Sequence, residues 1–423
     1  MFKGLSLEQA PPVNIPFRFF FTAPFFGLLA GQLILTMGSE LFDNRWRTEL
    51  IALTHLFTLG WMTIIMMGAY YQMIPVMVGG SVPYLKLARL VHFFLSAGTL
   101  SFIIGLLYFS KLNLFVAIAF LTLSAVLFLM QMTKALLGIS SNRPTLLAMR
   151  ISLFSFLMTL LLGIYLIGGH AQLWSFPDNR MQITGAHLTF ALLGWIGQLI
   201  LGVSFHIIPM FYMTKDFSAK KAYFITLSLF SSTIIIPFSL WSENKWLVLV
   251  ASLPALLSFS LYLFELMRLI QARKRKTNDV TLILWKTSLL ALLLSLLTYA
   301  FSFFSQMISL PILAPLLFIV GFALFTTNAM LYKIIPFLVW FHRFGHLIGI
   351  VPVPLMKDIM PKRNAKIQII INIFFLLFLT LGNMFSQNLM IKLSGGLLML
   401  SSLLLLYNLF CINKHKPLTD RSE

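Results

Sequence analysis

The sequence predicts an all-α polytopic membrane protein of about twelve transmembrane helices, in a pseudo-three-fold arrangement of four-helix arcs. Three observations predict it. The 423 residues are 59% hydrophobic and only 10% charged, whereas soluble domains carry about 25% charged residues. The apolar runs reach the roughly 20 residues that one bilayer crossing needs. A glycine-to-proline frame recurs three times at one spacing, the pattern expected of an internal repeat.

The spans fall at about 17–37, 50–77, 88–109, 112–137, 147–169, 184–213, 222–241, 246–272, 280–304, 309–340, 365–386 and 389–412. No stretch between them is long enough for a soluble domain, so residues 1–423 form one transmembrane domain. Its three expected repeats cover about 17–137, 147–272 and 280–412. The frame is clearest in the sixth span, where Gly194-Trp195 leads to Phe205-His206 and Ile208-Pro209. Its counterparts are Gly60-Trp61 with Tyr71-Gln72 and Pro75, and Gly321-Phe322 with Tyr332-Lys333 and Pro336. Each glycine stands the same distance before its proline, and the copies begin roughly 130 residues apart. The second, sixth and tenth spans are therefore read as equivalent.

The formal charge is +19. Its distribution argues for lipid as the partner and against nucleic acid, because the basic residues cluster in alternate connections. Lys86, Arg89, Arg143, Arg150, Lys215, Lys220, Lys221, Arg273, Lys274, Arg275, Lys276, Arg343, Lys357, Lys362 and Arg363 follow even-numbered spans. Positive residues mark the cytoplasmic side, so both termini are expected in the cytoplasm of a bacterial inner membrane. The polar start, with no small-residue cleavage site after it, gives no sign of a cleavable signal. Cys411 is the single cysteine, which excludes an internal disulfide and a covalent c-type haem motif.

Ionisable side chains inside a span are functional candidates by default. His55 lies near the start of the second span, His187 near the start of the sixth, and His170 at the end of the fifth, all at similar expected depth. His206 sits in the sixth-span frame. Imidazoles without nearby carboxylates suit haem iron or a borderline metal such as copper. At about 100° per residue, Ala191 and Gly194 share the face of His187, which predicts a flat slot for a planar ring. The alternative use of such small residues is close helix packing. His55 is two residues nearer its frame glycine than His187 is, so the two side chains differ in phase by about 200°. Lys333 and Lys286 are expected to snorkel, Glu265 to pair with Arg268, and His342 and His346 to lie at the interface.

At this point the chain resembles the catalytic subunit of the heme–copper oxidase superfamily. The resemblance rests on His55 followed by Pro75 and Gly79-Gly80, on His187, and on the three Gly…Ile-Pro frames. It implies twelve spans in three arcs, with His55 matching the low-spin haem ligand and His187, approximately, a copper ligand. The departures are specific. The tenth span has no histidine, the seventh no His-His pair, and no glutamate or tyrosine stands where oxygen reduction needs a proton donor. A complete oxygen-reducing centre is not expected. The chain is closer in kind to oxidase subunit I-like proteins or NnrS-type haem proteins linked to nitric oxide. The implied function is haem b binding in electron transfer or gas (nitric oxide or oxygen) binding, with a redox partner. Any enzymatic activity would be an oxidoreductase. The competing reading is a haem-free transporter or channel on the same scaffold.

Overall fold

A computed structural model describes residues 11–141, 143–176, 178–274, 276, 279–305, 307 and 309–415. Residues 1–10, Arg275 and the C-terminal end, on which the signal, charge and terminus expectations partly fall, lie outside the described residues. Among those described there is helix and no strand. Among the described residues twelve helices are long and apolar enough to cross a membrane, and the chain is a multi-pass membrane protein. They are α1 Asn14–Phe42, α2 Thr48–Val76, α3 Leu85–Leu107, α4 Lys111–Leu137, α5 Pro144–His170 and α6 Arg180–Tyr212. The rest are α7 Ala219–Ser242, α8 Lys245–Gln271, α9 Thr281–Ser302, α10 Leu310–Leu347, α11 Lys362–Met384 and α12 Asn388–Asn413.

Hydrocarbon offers no water to backbone N–H and C=O groups, and a helix pairs them all within one continuous apolar segment. Hydroxyls follow the same rule. Thr54, Thr58, Thr159 and Thr189 each donate to the carbonyl four residues earlier. Pro254 interrupts α8, and serines of α7 repair the break. Ser232 donates to the Ala251 carbonyl and accepts the Ala255 N–H, while Ser228 donates to the Pro254 carbonyl.

Three spans stand apart. In α2, α6 and α10, 67%, 78% and 83% of the most apolar 18-residue window is buried, against at most 50% in the others. These are the spans that carry the repeated frame. Each is also π-helical at one place in that frame: Leu56–Thr63, Phe190–Gly197 and Leu317–Ala323. A π turn holds an extra residue and is rare in helices. Here it brackets Gly60, Gly194 and Gly321 in turn, and the aromatic after each glycine is at most 2% exposed. This conformational recurrence was not readable from spacing alone.

The chain divides into two compact units. One comprises residues 69–277 and 289–319, with α3 to α8 packed as sequential neighbours. Its centre is aromatic. The Trp195 ring stacks on Tyr70 at 5.8 Å and meets Phe156 at 4.6 Å, while the Tyr70 hydroxyl donates to the Met149 carbonyl at 2.8 Å. Glu265 pairs here with Lys221 of α7 and not with Arg268, because the neighbouring helix brings an ammonium closer than the local turn does.

The other unit comprises residues 12–68, 279–288 and 320–415 of the described chain. Here α1 packs on α12, and α12 on α11. Glycine permits the first contact: a Cβ on Gly395 would stand 2.4 Å from the Leu35 nitrogen, and one on Gly31 would stand 2.7 Å from the Gly395 carbonyl. Trp61 lies against Gly27 of α1 and donates to Thr327 of α10 at 3.2 Å. Arg343 closes the end of α12 by donating to Asn413 Oδ1 and the His415 carbonyl. A cation is favourable at a helix C-terminus.

Candidate functional site

His55 closes the α-helical first part of α2, immediately before the π turn. Its Nδ1 lies 2.8 Å from the Ile51 carbonyl one turn earlier. A carbonyl only accepts, so Nδ1 is the protonated nitrogen of the neutral ring and Nε2 carries the lone pair. That tautomer is the one that binds a metal through Nε2, and a backbone carbonyl on the other nitrogen is the usual way of orienting such a ligand. Thr54, His55, Thr58 and Leu59 are half-buried, whereas the span from Gly60 to Met67 is buried.

His187 is held differently. Its Nδ1 lies 3.0 Å from the Thr159 carbonyl of α5, and its ring edge rests on Gly163. The same argument puts the lone pair on Nε2, but this bond also ties α6 to α5. Both histidines precede their π turns, so the two-residue offset persists as a phase difference of about 200°.

The slot expected at Gly194 is closed by helix packing. A Cβ there would stand 2.4 Å from Ser155 of α5 and 3.1 Å from Thr233 of α7. His187 and Gly194 do share the face turned to α5, where Ser155, Thr159 and Gly163 stand one turn apart, but α5 fills the space a planar ring would need. His170 sits at the end of α5, edge-on to Phe176 at 5.1 Å, in an open cleft with Gln172, Trp174 and Ser175. His206 lies near the other end of α6 and feels the charges of Arg143 and Asp216. Among the described residues no three His, Cys, Asp or Glu side chains gather into a group that could hold a metal ion. His55 belongs to the unit of residues 12–68 and 320–415, and the other three histidines to the unit of residues 69–277.

Two features lay outside the sequence reading. Lys333, expected to snorkel, instead forms an ion pair with Asp279, with side chains only 12% and 19% exposed. The Asp279 carboxylate also caps α9, accepting from the Thr281 N–H at 3.0 Å and its hydroxyl at 2.7 Å. Burial would raise its pKa, but the Lys333 ammonium and these hydrogen bonds hold it below the ordinary carboxylate value. Lys286, by contrast, is exposed. The second feature is a run of buried amides on α10, α11 and α12. The rule that flagged the intramembrane histidines would also have flagged Asn328, Gln368, Asn372 and Asn408, had it been applied to neutral polar groups.

No known family model matches the chain, and no curated protein matches it.

Proposed function

We propose that the protein is a haem b-binding integral membrane protein in which His55 Nε2 is an axial ligand. The observation that carries this reading is the bond from His55 Nδ1 to the Ile51 carbonyl, which fixes the ligating tautomer on a half-open face of a deeply buried span. The resemblance to the heme–copper oxidase subunit supports it independently. A haem b there would supply one-electron redox chemistry and, with one face open, a coordination site for nitric oxide or oxygen. The role of the chain is to hold the imidazole proton on Nδ1, to orient the ring, and to exclude water on the packed side through Trp61 and Phe57, which are 2% and 3% exposed. Copper would need several ligands drawn together, and among the described residues no three His, Cys, Asp or Glu side chains gather. The positive residues of the even-numbered connections support a bacterial cytoplasmic membrane location with both termini inside.

The experiment is an absorption spectrum and haem stoichiometry on protein purified from haem-replete cells. A Soret band with reducible b-type α and β bands is expected. His55→Ala should abolish or shift that spectrum while the protein remains monodisperse in detergent. An unchanged spectrum in that variant sinks the His55 assignment, and a colourless parent protein favours the transporter reading. His187→Ala then distinguishes ligation from helix tying. Conversion of a low-spin to a high-spin spectrum makes His187 the second ligand, and an unchanged spectrum leaves it as the α5–α6 tie.

A further inference from the structure

The buried amides of α10, α11 and α12 form one directed hydrogen-bond chain. Asn408 donates to the Tyr332 hydroxyl at 2.8 Å, and Tyr332 donates to Gln368 Oε1 at 3.4 Å. Asn328 donates to the same oxygen at 3.3 Å. Gln368 donates onward to Ser401 at 2.8 Å, and Ser401 to Asn372 Oδ1 at 2.5 Å. All six residues are at most 2% exposed. The chain begins about 8 Å inside the end of α12 at Asn413, and Ser401 lies about 18 Å from that end.

Polar side chains commonly tie helices together in membranes, and the bonds above do so. They leave a remainder that tying does not explain. Asn328 Oδ1, Asn408 Oδ1 and Asn372 Nδ2 are buried without a hydrogen-bond partner. Turning any of these amides over exchanges which of its atoms is satisfied but still strands one end. Three stranded amide ends on one small cluster are a concentrated cost, because buried polar groups are almost always paired. Apolar residues at the same positions would pack the helices without it.

We propose that this cluster is a membrane-buried binding site for water. Each stranded atom is one that water satisfies: the two carbonyl oxygens accept, the N–H donates, and a water molecule does both. An ion is disfavoured, because the cluster is neutral and the charges of Lys333 and Asp279 beside it are spent on each other. The site is separate from His55 and does not rest on the haem reading. It gives α10 to α12 a hydrated interior at a depth where their outer faces are apolar, as at Phe374, Leu377, Leu400 and Leu403.

X-ray radiolytic hydroxyl-radical footprinting of the intact protein tests it, since bound water is the local radical source. Tyr332 and Tyr70 are each 1% exposed. Tyr70 bonds the Met149 carbonyl and Ser152, with no stranded amide among these partners, and so serves as the dry control. Tyr332 is expected to be oxidised several-fold faster than Tyr70. Asn328→Leu combined with Asn408→Leu should lower it to the Tyr70 rate. A parent protein in which Tyr332 reacts no faster than Tyr70 overturns the proposal, and that comparison needs no variant to fold. Undiminished Tyr332 oxidation in the folded double variant overturns it equally.

Discussion

Removing the charge of Asp279 should strand Lys333 inside the protein. Two unit charges in contact gain about 4 kcal/mol at an effective dielectric near 20, and withdrawing each from water costs several kcal/mol. With 12% and 19% side-chain exposure the pair is mostly withdrawn, so the intact pair stands near break-even. Losing one partner is different: it leaves an uncompensated buried ammonium and costs about 3–5 kcal/mol. Asp279→Asn keeps an oxygen for the Thr281 N–H and isolates that loss. Asp279→Ala also removes the α9 cap, adding about 1 kcal/mol. Asp279→Asn with Lys333→Met should return to within about 1 kcal/mol of the parent, because no charge then remains buried. Reversible unfolding in detergent micelles, followed by tryptophan fluorescence, measures the cycle. The pH dependence has a definite sign. The folded pKa of Asp279 lies below its unfolded value, so the contribution is present above about pH 4 and fades as pH falls through the folded value. Asp279→Asn within about 0.5 kcal/mol of the parent, or additive single variants, would refute the reasoning.

Four further outcomes are expected. His55→Ala should remove or shift the haem spectrum of the purified protein, read by absorption. Tyr332 should be oxidised several-fold faster than Tyr70 in radiolytic footprinting. Gly395→Leu should destabilise by about 1–3 kcal/mol or more, because even its Cβ would stand 2.4 Å from the backbone nitrogen of Leu35. Loss of thermal stability in detergent checks this, and a parent-like melting curve would show that α1 and α12 are not in that contact. A reporter active only outside the cytoplasm, fused after Glu423, should be inactive, and activity there would reverse the proposed topology.

Hydropathy and length alone determined the twelve helices, because a continuous apolar run of about 20 residues fits one helical crossing that satisfies its own backbone, whereas a spanning strand needs only about half that length. The equal spacing of Gly60, Gly194 and Gly321 before their prolines likewise singled out the three spans that prove most buried. Tertiary structure decided what periodicity cannot carry. Gly194 does share the face of His187, but that face packs on α5 at Ser155, Thr159 and Gly163, so the space read as a slot is filled by a neighbouring helix. Lys333 found its counter-ion in Asp279, far away in sequence, where a hydropathy reading sees only a lysine near a helix end. His55 was legible as a candidate from its depth, but the nitrogen holding its proton follows from the Ile51 carbonyl standing 2.8 Å away. The amide chain on α10 to α12 is of the same kind. Its residues are visible one by one in the sequence, and which of their atoms bond and which are left over is settled only when three helices meet.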